Sequence, residues 1–123
     1  CLMQRWPLEL ETHRIVALAS VAVARSIPAG PVALSRAAAA FWDARRLCQV
    51  AAAHKRPAGG RWSRRLVALR EQIDQAAETG LGYVDALRAD PGNRAAAAGV
   101  VEMLAMIQFL LTAAGQGLPA GEL

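Results

Sequence analysis

Aromatic side chains are scarce in this 123-residue chain: three Trp, two Phe and one Tyr make 5% of it. A β-sandwich fills its interior with aromatic and β-branched residues, so the shortage argues against one. Cysteine is scarcer still. Cys1 and Cys48 are too few for a disulfide scaffold and form no CxxC pair. The two histidines, His13 and His54, stand in different segments, so no zinc-ligand spacing can be read. Neither a P-loop nor a dinucleotide-type glycine motif occurs, which leaves nucleotide binding through a glycine loop unsupported. The glycines follow no collagen period, and no secretory signal pattern is present. This cysteine usage fits a reducing cytoplasm, the expected location. Cys1 has two readings, the acylated cysteine of a processed lipoprotein or a start set by trimming or upstream disorder. Nothing after it looks like a flexible tether, which favours the second.

Catalytic groupings are also missing. A hydrolase or transferase needs a nucleophile beside a base, paired carboxylates or a metal. Acids cluster at Glu9 and Glu11, and at Glu71, Asp74 and Glu78. The second spacing puts three carboxylates on one helix face. No Glu-x-x-His motif of a di-iron bundle accompanies them, so they read as a solvated face. The run Ala53–Gly60 resembles a histidine phosphotransfer helix. That motif needs its histidine in mid-helix, and here Pro57 ends the helix three residues after His54. The chain is therefore expected not to be an enzyme and to hold no metal and no cofactor.

What the sequence has in abundance is alanine, within a composition of 54% hydrophobic and 20% charged residues. That is globular rather than disordered, and alanine favours helix. Turn signals fall at Ile27–Pro31, Arg56–Gly60 and Asp90–Asn93. They divide the chain into helices of about 8–26, 32–54, 63–89 and 94–114, in one domain covering 1–123. Short connections between similar helices predict an all-α, up-down-up-down antiparallel four-helix bundle.

Each segment has its own pattern. In the first, Ile15, Leu18, Ala19 and Ala22 give a stripe, but Val16, Val21 and Val23 extend the apolar surface nearly all round. In the second, Leu34, Ala37, Phe41, Ala44, Cys48 and Ala51 line one side, and Cys48 reads as an inert core thiol. Trp42, Arg45, Arg46 and Gln49 share the other side. That patch suits a stacked base or a phosphate. The plainer reading, which is favoured, packs Trp42 on a neighbouring helix while the arginines snorkel past. In the third, Ser63 is the expected N-cap, with Trp62 and Val67 as a hydrophobic staple. Leu66, Leu69, Ile73, Ala76, Ala77, Gly80, Val84 and Leu87 keep a bundle period, while Gly80 and Gly82 either end the helix early or permit close contact.

The fourth segment tests the membrane question. Ala95–Ala114 is long enough to span a bilayer. Glu102 sits within it, and a central carboxylate costs about 2.5–3.5 kcal/mol on insertion scales. A core helix, with no membrane partner, is the expectation, and Glu102 is expected to meet an arginine. The first and fourth helices carry more apolar surface than one bundle can cover, which predicts a homo-oligomer formed through them.

Charge is unevenly spread. The net charge is +4, but Ala44–Arg70 holds eight of the fourteen basic residues and no acid. These are Arg45, Arg46, Lys55, Arg56, Arg61, Arg64, Arg65 and Arg70. A helix start beside them adds free N–H groups and a positive dipole end. This is an anion site without sequence specificity, suited to a nucleic-acid backbone.

Ser26-Ile27-Pro28, a long helix, a basic connection, Leu81-Gly82-Tyr83-Val84-Asp85 and a final helix with Glu102-Met103-Leu104 follow in order. The arrangement resembles the four-helix-bundle superfamily of proteins encoded in bacterial ribosomal-RNA intervening sequences and of accessory variability determinants of diversity-generating retroelements. Leu87–Asn93 departs from it as an insertion. The resemblance implies a basic, non-enzymatic, oligomeric bundle that binds nucleic acid, RNA or DNA, as an accessory subunit, with a reverse transcriptase as a protein partner. The basic residues from Arg45 to Arg65 named above would carry the contact. The alternative is a protein–protein adaptor or chaperone-like bundle with no nucleic-acid role, whose charges only keep it soluble.

Overall fold

The computed structural model describes residues 3–4, 8–53, 64–116 and 118–119. Among the described residues the protein is all-α, with four helices: α1 (Leu8–Ser26), α2 (Pro31–Ala53), α3 (Arg64–Ala89) and α4 (Arg94–Gly115). A two-residue antiparallel pairing, β1 (Met3–Gln4) with β2 (Leu118–Pro119), sets Met3 opposite Pro119. No strand signal in the residue pattern announces it.

The helix ends follow from local chemistry. Pro28 disfavours helical backbone at the residue before it, close to the end of α1. Gly30 then adopts φ +100°, a left-handed conformation that L side chains resist. Pro31 opens α2, where its fixed φ suits a helix and its missing N–H would have been an orphan. The first helical bond runs from the Leu34 N–H to the Gly30 carbonyl at 3.1 Å. Between α3 and α4, Asp90 Oδ1 accepts from the Gly92 N–H at 3.1 Å. Asn93 caps α4, its Oδ1 accepting from the Ala96 N–H at 3.0 Å. The expected α3 cap, Ser63, and the Trp62 half of its staple lie outside the described residues.

Each helix packs on its sequence neighbour, and α1 closes on α4; the diagonal pair α2 and α4 touches far less. Phe41, Leu10, Leu47, Ile73, Ile107, Leu111, Val21 and Val84 are fully buried. Alanine holds two thirds of the remaining core, which lets the helices approach closely. Gly80 and Gly99 take this further. A Cβ on Gly80 would collide with the Phe41 ring, and one on Gly99 with the Tyr83 ring. Helix α3 therefore runs straight through Gly80 and Gly82 instead of ending there. Tyr83 and Val84, the centre of the LGYVD run, serve packing: one covers Gly99 and the other is buried.

Two expectations are corrected. Helix α1 turns Leu10, Ala17, Val21 and Ala24 inward, and Ile15, Ala19 and Ala22 face outward. Glu102 is exposed and has no arginine partner among the described residues. Its position on α4 turns it away from the Val100–Leu104–Ile107 core, so water solvates the carboxylate and no buried charge needs neutralising.

Candidate nucleic-acid interface

Five of the eight basic residues fall in described helices. Arg45 and Arg46 occupy the second half of α2, and Arg64, Arg65 and Arg70 the first turns of α3. The structure joins these stretches directly. Cys48 Sγ donates to the Arg70 carbonyl at 3.3 Å, and Arg45 Nε lies 3.3 Å from Asp74 Oδ1. Lys55, Arg56 and Arg61 lie outside the described residues.

The five are not equivalent. Arg46, Arg64 and Arg65 are exposed, with no carboxylate partner among the described residues. Arg70 is half-buried. Arg45 is also half-buried and partly neutralised by Asp74, which lies beyond the acid-free stretch Ala44–Arg70. The residue pattern places Asp74 on a solvated face with Glu71 and Glu78. A pairing between helices leaves no trace in the period of either one. The pair is partly exposed, so it contributes at most about 1 kcal/mol.

Trp42 differs from the packing first favoured for it. It is 55% exposed, and no neighbouring helix covers most of its ring. The Arg45 guanidinium carbon stands 5.6 Å from the ring centroid, a cation–π distance. One side of α2 thus presents an accessible indole beside Arg45 and Arg46.

Cys48 beneath this surface is unreactive. Burial, reinforced by the Asp74 carboxylate, pushes its thiol up to about 12, while Arg70 and Arg45 pull it down less. Thiolate chemistry at neutral pH is therefore closed to it. Among the described residues no group of His, Cys, Asp and Glu could hold a metal ion.

The outer sides of α1 and α4 contrast with this charged region. Leu8, Ile15, Val16 and Val23 on α1 and Val101, Met106 and Phe109 on α4 are exposed. They make up most of the large exposed hydrophobics of the described residues; the others are Val32 and Trp42. Helix α4 is long and apolar enough to cross a membrane by length and composition alone, and 39% of its most apolar stretch is buried in the bundle. At the opposite end from Arg64 and Arg65, around the connections Ile27–Pro31 and Asp90–Asn93, lies a mostly apolar cavity that no motif in the sequence announces.

Compared with protein-family models, curated proteins and solved structures, the chain matches none.

Proposed function

We propose that this chain is a non-enzymatic, up-down-up-down antiparallel four-helix bundle that binds the backbone of RNA or DNA through its basic end, as an oligomeric accessory subunit. The direction of the helices is supported by the order of their contacts. Along α2, Phe41, Arg45 and Cys48 meet Gly80, Asp74 and Arg70 in descending order. Along α1, Arg14 meets Leu111, whereas Ala24 shares a cavity wall with Val100.

The observation that carries the nucleic-acid reading is the set of exposed Arg46, Arg64 and Arg65 at one end of the α2–α3 pair, near the open Trp42 ring. Phosphates would neutralise the guanidiniums, and a splayed base would stack on the indole. Most contacts would be to the backbone, so binding would be salt-dependent and poorly sequence-specific. The same features fit the likeness to the ribosomal-RNA and retroelement accessory bundles, and a reverse transcriptase remains the partner that likeness suggests.

The apolar outer faces of α1 and α4 support self-association. They also favour a second reading, an adaptor whose outer face meets a different protein and whose charges do no binding. Fluorescence anisotropy on labelled single-stranded RNA and duplex DNA separates the two. The expected result is binding that weakens steeply with salt. In the Arg46→Glu/Arg64→Glu/Arg65→Glu variant the single-strand salt slope should fall by about 2. Light scattering on the same samples should report more than one chain per particle. No binding at low salt, or an unaltered slope in the variant, removes the nucleic-acid reading and leaves the adaptor.

A further inference from the structure

The cavity at the other end of the bundle has a volume of about 660 Å³, within the roughly 300–1,000 Å³ of small-molecule sites. It exists because small side chains meet where two connections cross the bundle end. Ala24, Ala33, Ala37 and Ala97 bring little volume to its wall, and the Pro28–Pro31 turn borders the space without plugging it. The Gly30 conformation fixes that turn.

Its chemistry is one-sided. Every lining side chain is apolar except two, Arg25 and Arg88, and no carboxylate lines it. Arg25 donates to the neutral Gln108 amide oxygen, so its charge stays uncompensated. Arg88 has only a loose partner, Asp85 at 3.6 Å, with both side chains largely exposed. An exposed pair of this kind is worth little and is readily exchanged for another anion.

We propose that this cavity binds a single-chain amphiphile with an anionic head, such as a medium-chain carboxylate. The tail lies among the alanines, Leu34 and Leu104. The head sits between Arg25 and Arg88. A compact anion such as phosphate would leave the apolar walls unfilled. A neutral hydrocarbon would leave both guanidiniums unused. The site stands at the start of α2 and the end of α3, away from Arg46, Arg64 and Arg65, so it is independent of nucleic-acid binding.

Calorimetric titration of the full chain tests this with decanoate, decyl alcohol and decyltrimethylammonium, each below its aggregation threshold. Decanoate should bind saturably, one per chain, and removing two methylenes should weaken it about tenfold. Arg25→Gln and Arg88→Gln should each weaken decanoate about fivefold and leave decyl alcohol unchanged. Ala97→Phe, introduced at an exposed rim position, should abolish binding of both. If that variant fails to fold, Ala33→Phe and amide NMR shifts confined to the ends of the four helices around the cavity serve instead. The Arg46/Arg64/Arg65 variant should bind decanoate normally. Equal affinity for all three head groups overturns the proposal, as does decanoate binding that survives a folded cavity-filling variant. Binding only to anionic phospholipid vesicles, and not to the free acid, overturns it too, since it assigns the anion preference to a membrane surface.

Discussion

The α2–α3 pair and the α1–α4 pair are built with opposite polarity. Between α2 and α3 the contacts are a ring on a glycine, Phe41 over Gly80, and a buried thiol, Cys48, on the Arg70 carbonyl. Charge is displaced to the edge and outward, in Arg45, Arg46, Arg64 and Arg65. Between α1 and α4 a guanidinium lies in the seam. Arg14 pairs with Glu11 and donates to the Leu111 carbonyl at 3.0 Å, with only 12% of its side chain exposed. It covers Gly115 at the C-terminal end of α4, where the helix dipole favours a cation. The exposed side chains of α1 and α4 include much hydrocarbon, Val16, Val23, Val101, Met106 and Phe109 among them, beside the polar Glu102 and an Arg25–Gln108 hydrogen bond. One pair therefore turns most of its charge to solvent, with Arg45–Asp74 as a tie at the edge, and the other buries a guanidinium while leaving apolar side chains exposed.

The largest effects should come from the ring in the α2–α3 seam. Phe41→Ala should cost about 3–5 kcal/mol in denaturant unfolding. Gly80→Ala should cost about 1–3 kcal/mol, because overpacking against a fully buried ring outweighs the gain in helix propensity of roughly 0.8–1 kcal/mol. Gly82, two residues on, meets nothing within 4 Å. Gly82→Ala should therefore stabilise by up to about 1 kcal/mol. A stabilising Gly80→Ala would mean that the two helices stand further apart, and the contrast between the seams would weaken.

This pair of glycines shows what was legible in the residue pattern. Both stood out as either helix ends or close contacts, and only the neighbour across the seam tells them apart. The breaks at Ile27–Pro31 and Asp90–Asn93 could be read because proline, glycine and asparagine act through local backbone rules. The inward stripes of α2 and α3 could be read because each has a polar side. Helix α1 could not be oriented, since a helix apolar all round carries no directional signal. The exposure of Trp42 and Glu102 has no sequence signal for a related reason. Position on one helix does not say whether another helix covers it. In the candidate site the exposed arginines were visible as a run without acids, whereas the neutralisation of Arg45 depended on Asp74, which lies 29 residues away.

Cys48 gives an intermediate effect, read by pH. Its folded-state value of about 12 lies above the ordinary 9.0, so folding favours the neutral thiol. The contribution is complete below pH 9 and declines as pH rises toward 12, because the unfolded chain loses its proton first. Stability should fall there by up to about 1.4 kcal/mol per pH unit from this group. Cys48→Ser, which keeps a donor for the Arg70 carbonyl, should flatten that alkaline slope. A native chain labelled rapidly at Cys48 by a thiol reagent at pH 8 would place the thiol outside the seam.

The smallest effect on stability should have the clearest functional sign. Asp74→Asn removes the charge facing Arg45 and keeps an acceptor near its Nε. The pair is partly exposed, so unfolding should change by less than about 1 kcal/mol. If the arginine surface binds nucleic acid, releasing Arg45 beside Trp42 should tighten single-stranded RNA and steepen the salt slope by about 0.7. The same substitution removes a charge that raises the Cys48 thiol and should lower it toward its ordinary range. Burial, the larger cause, still holds the thiol above 9.0 while the seam is intact, so a full return to 9.0 would report an opened seam. Weaker RNA binding with an intact seam would mean that Asp74 holds Arg45 over the indole in the geometry that binds. Unchanged RNA binding would remove Arg45 from the interface, leaving Arg46, Arg64 and Arg65 as its described part.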